Sequence, residues 1–185
     1  MKKEDNLKEQ FKQALISTIK VISEEYKLEG ELKKNLSSKN FNFIELDNLN
    51  NKQGYIKLRA ETDSEALKRK FSNKSIYSKN IPKNNSCKSL YDLSEKIRYE
   101  LLGSKMLKGI SKNLNEYYNY KISLKRKDQL ESKEDVNVSE AFELYMLKKF
   151  FNIKLNPLSD KILSYWEKDF KNSFDKHINY LNQNL

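Results

Sequence analysis

The residues best placed to do chemistry lie close together in one run. Glu95, Arg98 and Glu100 fall within LSEKIRYELL. Glu95 and Arg98, three apart, are neighbours on a helix and can pair. Two carboxylates around a guanidinium could act as an acid/base cluster or as a docking point. An intrahelical ion pair is the simpler reading of the same spacing. The other candidates are isolated. His177 is the sole histidine and cannot build an imidazole-based metal site alone; its place on the stripe of the last helix reads as packing. Cys87 is the sole cysteine, has no Cys or His nearby in sequence to activate it, and reads as an inert thiol. Asp63-Ser64 and Ser159-Asp160 do not extend to the D-x-S-x-S pattern that would hold a divalent ion. The sequence has no phosphate loop, no G-x-G-x-x-G and no nucleophile elbow. No catalytic, cofactor-binding or metal-ligating residue is assigned, and the residues point to an interaction or scaffold domain.

The elements that must position these residues are read mainly as helices. Leu90, Leu93, Ile97, Leu101 and Leu114 recur at helical spacing in a run free of proline. They predict one long central helix from about Lys88 to Tyr118. An amphipathic helix is expected from Leu7 to Glu25 on Phe11, Leu15, Ile19 and Ile22, and another over Tyr55–Phe71. Val138–Phe151 is a further helix. A last helix starts at Asn156, with Asn at the N-cap and Pro157 at N1, and carries Ile162, Trp166, Phe170, Phe174, Ile178 and Leu181 as its stripe. Leu28–Leu32 and Phe41–Leu46 alternate weakly and read as two short strands around a polar turn. Ser72–Ser86 reads as a loop, pinned by Ile76, Tyr77 and Ile81. Tyr120–Asn137 reads as a solvated polar connector whose basic half, Lys121–Lys127, could meet an acidic partner. The expected fold is a mainly α, multi-helix single domain over residues 1–185, with a long central helix and a small two-stranded β element.

Composition bounds the function. The 185 residues suffice for one domain with a core. Mean hydropathy is −0.87, yet 11 Tyr and 9 Phe argue for a folded chain with a polar surface rather than disorder. The net charge of +10 suggests nucleic acid, but the only arginines are Arg59, Arg69, Arg98 and Arg126, and phosphate recognition favours the arginine fork. Lys, Asn, Ile, Tyr and Phe all have A/T-rich codons, so codon bias can supply the charge. One cysteine excludes an internal disulfide and, with no leader-like start, sets the expectation of a cytoplasmic location. No apolar run approaches the ~20 residues of a membrane span.

A resemblance covers approximately residues 8–181. Glu95-x-x-Arg98-x-Glu100-x-x-Gly103-x-x-Met106-x-x-Gly109-Ile110-x-x-Asn113-Leu114 resembles the E-x-x-R-x-E-x-x-G-x-x-M-x-G-V-x-x-N-L helix of the CobT subunit of aerobic cobaltochelatase, with one residue of looseness near Met106. Phe11-Lys12-Gln13-Ala14-Leu15 is similar to the family's F-[KR]-x-A-L opening helix, and Ala60–Leu67 resembles its A-D-S-x-A-L segment. Ala141, Pro157 and Tyr165-Trp166 fall in order with its A-rich helix, proline turn and L-W pair.

The resemblance implies an accessory or assembly subunit of the chelatase that inserts cobalt into hydrogenobyrinic acid a,c-diamide during cobalamin synthesis. Its implied partners are an AAA+ ATPase subunit and a large corrinoid-binding subunit. ATP, Mg and cobalt are used by that complex, with none bound by this chain. Against the family pattern, the acidic linker and the C-terminal metal-binding von Willebrand factor A domain are expected to be absent from residues 1–185, and the C-H-D segment is replaced by Lys70-Phe71-Ser72-Asn73. Glu95, Arg98, Glu100 and Asn113 are the expected partner contacts. The readings from other classes are a small basic nucleic-acid-binding protein and a phage-type structural helical protein.

Overall fold

The computed structural model describes residues 2–26, 52–124 and 132–184. Among these, every regular element is helical: α1 Lys2–Ser23, α2 Lys52–Phe71, α3 Lys74–Asn80, α4 Asn85–Met106, α5 Lys108–Ser123, α6 Val138–Phe150, α7 Pro157–Ser164 and α8 Glu167–Asn184. The mainly α class is as expected. The two expected strands, Leu28–Leu32 and Phe41–Leu46, lie outside the described residues. Contacts gather into two compact units, Met1–Ser72 and Asn73–Leu185.

In the first unit α1 packs on α2. Phe11 meets Tyr55 edge-on, with ring centroids 4.7 Å apart, and Leu15 buries against Leu58. Further along, Arg69 Nη1 donates to Glu25 at 3.0 Å, and Lys70 pairs with Glu24. These pairs advance together along both helices, so the helices run parallel. Parallel neighbours need a connection that returns along the helix, ~33 Å for a helix of this length. The chain between Ser23 and Lys52 is long enough to do so. Glu24 takes a left-handed φ of 60°, a conformation that stops a helix.

The second unit is built around α6, which buries Ala141, Phe142, Leu144, Tyr145, Met146 and Leu147. α4, α7 and α8 all pack on it. Four of its helices start on asparagines. The side-chain oxygen of Asn73 accepts from the amides of Ser75 and Ile76, that of Asn84 from Ser86 and Cys87, that of Asn137 from Ser139 and Glu140, and that of Asn156 from Ser159. Capping explains one correction. The Asn- and Ser-rich stretch read as a loop over Ser72–Ser86 contains α3, because Asn73 satisfies its first orphan amides.

The long central helix is also corrected. Leu107 is extended, with φ −135° and ψ 116°. Its amide still closes α4 on Gly103 at 2.9 Å, and its carbonyl opens α5 by accepting from Ser111 at 3.2 Å. Gly103 and Gly109 flank the break, each costing ~1 kcal/mol of helix propensity against Ala. Breaking there lets α5 fold back along α4 and bury Ile110, Leu114, Tyr118 and Ile122.

The last helix is likewise two. Pro157–Ser164 ends at a turn in which the Trp166 amide reaches Leu163 at 3.0 Å, and α8 restarts at Glu167. The change of axis lets Leu163 on α7 and Phe170 on α8 both become buried.

Candidate docking site

Three helices of the second unit leave a cleft of about 210 Å³ between them. α4 contributes Ile97 and Leu101, α6 contributes Phe142 and Met146, and α8 contributes Phe174 and Ile178. The spacing of each set places it on one face of its helix. Phe142 anchors the floor, with ring centroids 5.4 Å from Phe170 and 5.2 Å from Phe174.

Glu95 and Arg98 edge this cleft, as does His177. The guanidinium engages the carboxylate with two parallel bonds, Nε to Oε1 at 3.0 Å and Nη2 to Oε2 at 2.9 Å. Both side chains are half-buried, so the pair is held more firmly than a fully solvated one. The arrangement presents an apolar surface beside a planar, oriented ion pair. His177, expected to pack on the helix stripe, is exposed at the cleft. Among the described residues, no group of three or more His, Cys, Asp or Glu side chains could hold a metal ion. Cys87 is exposed on the first turn of α4. No described helix is long and apolar enough to cross a membrane.

Glu100 lies elsewhere. At ~100° per residue it faces away from Arg98. Its side chain is 1% exposed. It accepts from the Tyr118 hydroxyl, with the Lys96 ammonium 3.9 Å away and 5.6 Å from the Tyr118 ring centre. Burial, reinforced by the Glu100 charge and hydrogen bond, pushes the Tyr118 phenol well up. Glu100 thus fastens α4 to α5 and offers no surface to a partner in this conformation. Asn113 is half-buried on α5 and does not line the cleft. Of the four expected contact residues, the fold brings only Glu95 and Arg98 to one site.

α8 is clipped to α6 beside the cleft. The Tyr145 hydroxyl donates to Asp175, and Lys149 lies 2.9 Å from the same carboxylate. The Tyr145 hydrogen bond and then Lys149 hold the Asp175 carboxyl below its ordinary value. Burial and then the bond to Asp175 push the Tyr145 phenol up.

Met146, Phe174, Ile178 and Leu181 are site residues that motif reasoning missed. The signal for the last three is the α8 stripe, which continues to Leu181, still 36% exposed, while Met146 lies on the buried face of α6.

The described residues form a helical module with an apolar cleft and a fixed ion pair at its edge. The chain itself belongs to the CobT family of cobalamin biosynthesis proteins, whose description, "Cobalamin biosynthesis protein CobT", matches residues 5–185. No solved structure matches it.

Proposed function

We propose that this chain is an assembly subunit of the ATP-dependent cobaltochelatase that inserts cobalt into hydrogenobyrinic acid a,c-diamide. The single observation behind this reading is the family match over residues 5–185. On this reading the chain docks on the AAA+ ATPase subunit and helps couple it to the large corrinoid-binding subunit. ATP, Mg and cobalt are handled by those partners in the cytoplasm. The cleft between α4, α6 and α8 is the docking site, and Glu95 and Arg98 set the orientation of what enters it. Its volume suits one or two apolar side chains from a partner surface and is below the ~300–1,000 Å³ of a typical small-molecule pocket. The corrinoid is therefore assigned to the large subunit.

The experiment is co-assembly. The chain is mixed with the AAA+ chelatase subunit from the same source, with and without ATP, and mass is measured by light scattering after size exclusion. A stable complex is expected. Arg98→Glu places two carboxylates three residues apart and should weaken assembly at least ~10-fold. The exchange Glu95→Arg with Arg98→Glu restores the pair and the local fold, and should leave assembly weak if the position of the guanidinium matters. A folded wild-type chain that forms no complex would overturn the reading. Full assembly by a folded Arg98→Glu variant would remove the cleft from it.

A further inference from the structure

The stretch from Lys74 to Lys88 contains four lysines and no acidic residue. Lys74, Lys79, Lys83 and Lys88 are all exposed, and among the described residues none of them has an ion-pair partner. Elsewhere in the second unit some lysines are paired, Lys121 with Glu143 at 2.6 Å, Lys149 with Asp175 at 2.9 Å and Lys171 with Glu167 at 3.3 Å, while Lys105, Lys108, Lys154 and Lys168 are exposed like those of this stretch but spread over three separate segments. The two carboxylates next in sequence are already engaged, Asp92 by the Tyr77 hydroxyl and Glu95 by Arg98. The four ammonium groups have no ion-pair partner among the described residues and outnumber the Asp92 carboxylate, which keeps its charge while accepting from the neutral Tyr77 hydroxyl.

α3, which carries two of these lysines, is unusual in a second way. It has seven residues and none is buried. So short a helix is marginal in water without tertiary support. Its support is the Asn73 cap and Tyr77, whose ring lies 5.5 Å from that of Tyr91. The helix holds Ile76 60% exposed between Lys74 and Lys79. A solvated aliphatic side chain one turn from the Lys79 ammonium and in the same short stretch as Lys74, Lys83 and Lys88 suits a ligand that supplies both carboxylates and apolar surface.

We propose that the corner formed by α3 and the first turn of α4 binds an acidic segment of a partner polypeptide, its carboxylates meeting Lys74, Lys79, Lys83 and Lys88 and an apolar side chain covering Ile76. A nucleic acid fits less well. The corner offers no arginine fork for phosphate. Its two tyrosine rings face each other rather than an open stacking surface, and the Asp92 carboxylate stands beside them. This inference is independent of the chelatase reading, since it needs no particular partner and uses a surface apart from the cleft.

The test uses the full chain and fluorescence anisotropy with three labelled probes: a peptide of Glu and Asp around a central Leu-Phe pair, the same peptide with Ser-Ser at its centre, and a thymidine oligonucleotide of equal charge. One variant carries Lys74→Gln, Lys79→Gln, Lys83→Gln and Lys88→Gln. A control of identical net charge carries Lys105→Gln, Lys108→Gln, Lys154→Gln and Lys168→Gln, all exposed in the wild type. Circular dichroism checks that both fold. The corner variant should lose on the order of 10- to 100-fold in affinity for the Leu-Phe peptide, as four exposed pairs acting together would give. The control should lose less than ~3-fold. Ile76→Ser should weaken the Leu-Phe peptide roughly 5-fold and leave the Ser-Ser peptide unchanged. Equal losses in the two lysine variants would reduce the effect to net charge and overturn the proposal. So would no peptide binding at low salt, an oligonucleotide that binds tighter than either peptide through the same lysines, or an Ile76→Ser variant with unchanged preference for Leu-Phe.

Discussion

Glu100 and Tyr118 stand eighteen residues apart in sequence and meet in the interior, the phenol donating to the carboxylate across the α4–α5 turn. Tyr118 is fully buried and Glu100 nearly so. The bond therefore does two things: it satisfies a carboxylate taken out of water, and it fixes how far α5 folds back along α4. Tyr118→Phe keeps the ring packing against Phe151 at 5.7 Å between centroids and removes only the donor. The carboxylate then retains Lys96 at 3.9 Å, too long for a good hydrogen bond. Losing a hydrogen bond to a buried charged acceptor costs ~1–3 kcal/mol, and Tyr118→Phe should lower stability by about that much in urea unfolding. Glu100→Gln should cost less, because an amide oxygen can still accept from the phenol. A Tyr118→Phe variant as stable as wild type would show that the pair contributes nothing.

Gly109 makes the opposite prediction. A glycine inside a helix suggests the close approach of another element, but a Cβ built there meets nothing within 4 Å. The residue lies in the first turn of α5 with ordinary helical φ. Gly109→Ala should therefore stabilise by ~0.5–1 kcal/mol, by reducing the freedom of the unfolded chain. The readout is a higher thermal midpoint for the second unit. A lower midpoint would mean that the turn at Leu107 needs the glycine.

These two residues show what was legible in the sequence and what was not. Periodicity located Ile97, Leu101 and Leu114 as buried, because burial on one face repeats along the chain; it passed over Ile110, which is buried after the break. It could not show that the helix breaks at Leu107, since apolar spacing before and after a one-residue break looks continuous. The same holds at Trp166, where α7 gives way to α8. Local chemistry was more legible where it was self-contained. The Asn156–Pro157 start was readable because cap and helix are adjacent, and the Glu95–Arg98 pair because three residues separate them. Glu100 was misplaced as a surface contact because its partner, Tyr118, comes near only after the fold-back. Ile76 and Tyr77 were expected to pin a loop to the core; instead Ile76 is exposed and the stretch is helical, because asparagines that favour turns serve here as caps.

The caps themselves can be ranked. Asn137 Oδ1 accepts from Ser139 at 2.8 Å and weakly from Glu140 at 3.4 Å. Asn156 accepts from Ser159 at 2.8 Å, and its Nδ2 also donates to the Ile122 carbonyl at 3.0 Å. Ile122 lies in the last turn of α5, where carbonyls lack helical partners. One side chain therefore closes the start of α7 and the end of α5. A cap alone is worth ~0.5–2 kcal/mol, and the second bond adds to it. Asn156→Ala should be more destabilising than Asn137→Ala, by ~0.5–1.5 kcal/mol. Equal losses in paired urea titrations would show that the bond to Ile122 carries no weight.

Asp175 links the stability of the cleft wall to acid. Its carboxyl titrates below its usual value near 3.8, chiefly through the hydrogen bond from Tyr145 and then through Lys149. A lowered folded-state value means that the unfolded chain takes up the proton first as pH falls. The stabilisation is therefore complete above the unfolded value, ~3.9, and is lost as pH drops through it toward the folded one. Asp175→Asn removes the titration and the charge that holds Lys149, while its amide oxygen can still accept from Tyr145. The gap in urea midpoint between wild type and Asp175→Asn should be constant from about pH 7 to 5 and shrink below about pH 4. Because Asp175 precedes Ile178 and Leu181 on α8, amide exchange in that half of the helix should rise in the variant at neutral pH, ahead of exchange in α6. A gap that stays constant down to pH 2, or exchange that rises equally in α6, would show that the Tyr145–Asp175–Lys149 cluster does not clip α8 to the cleft.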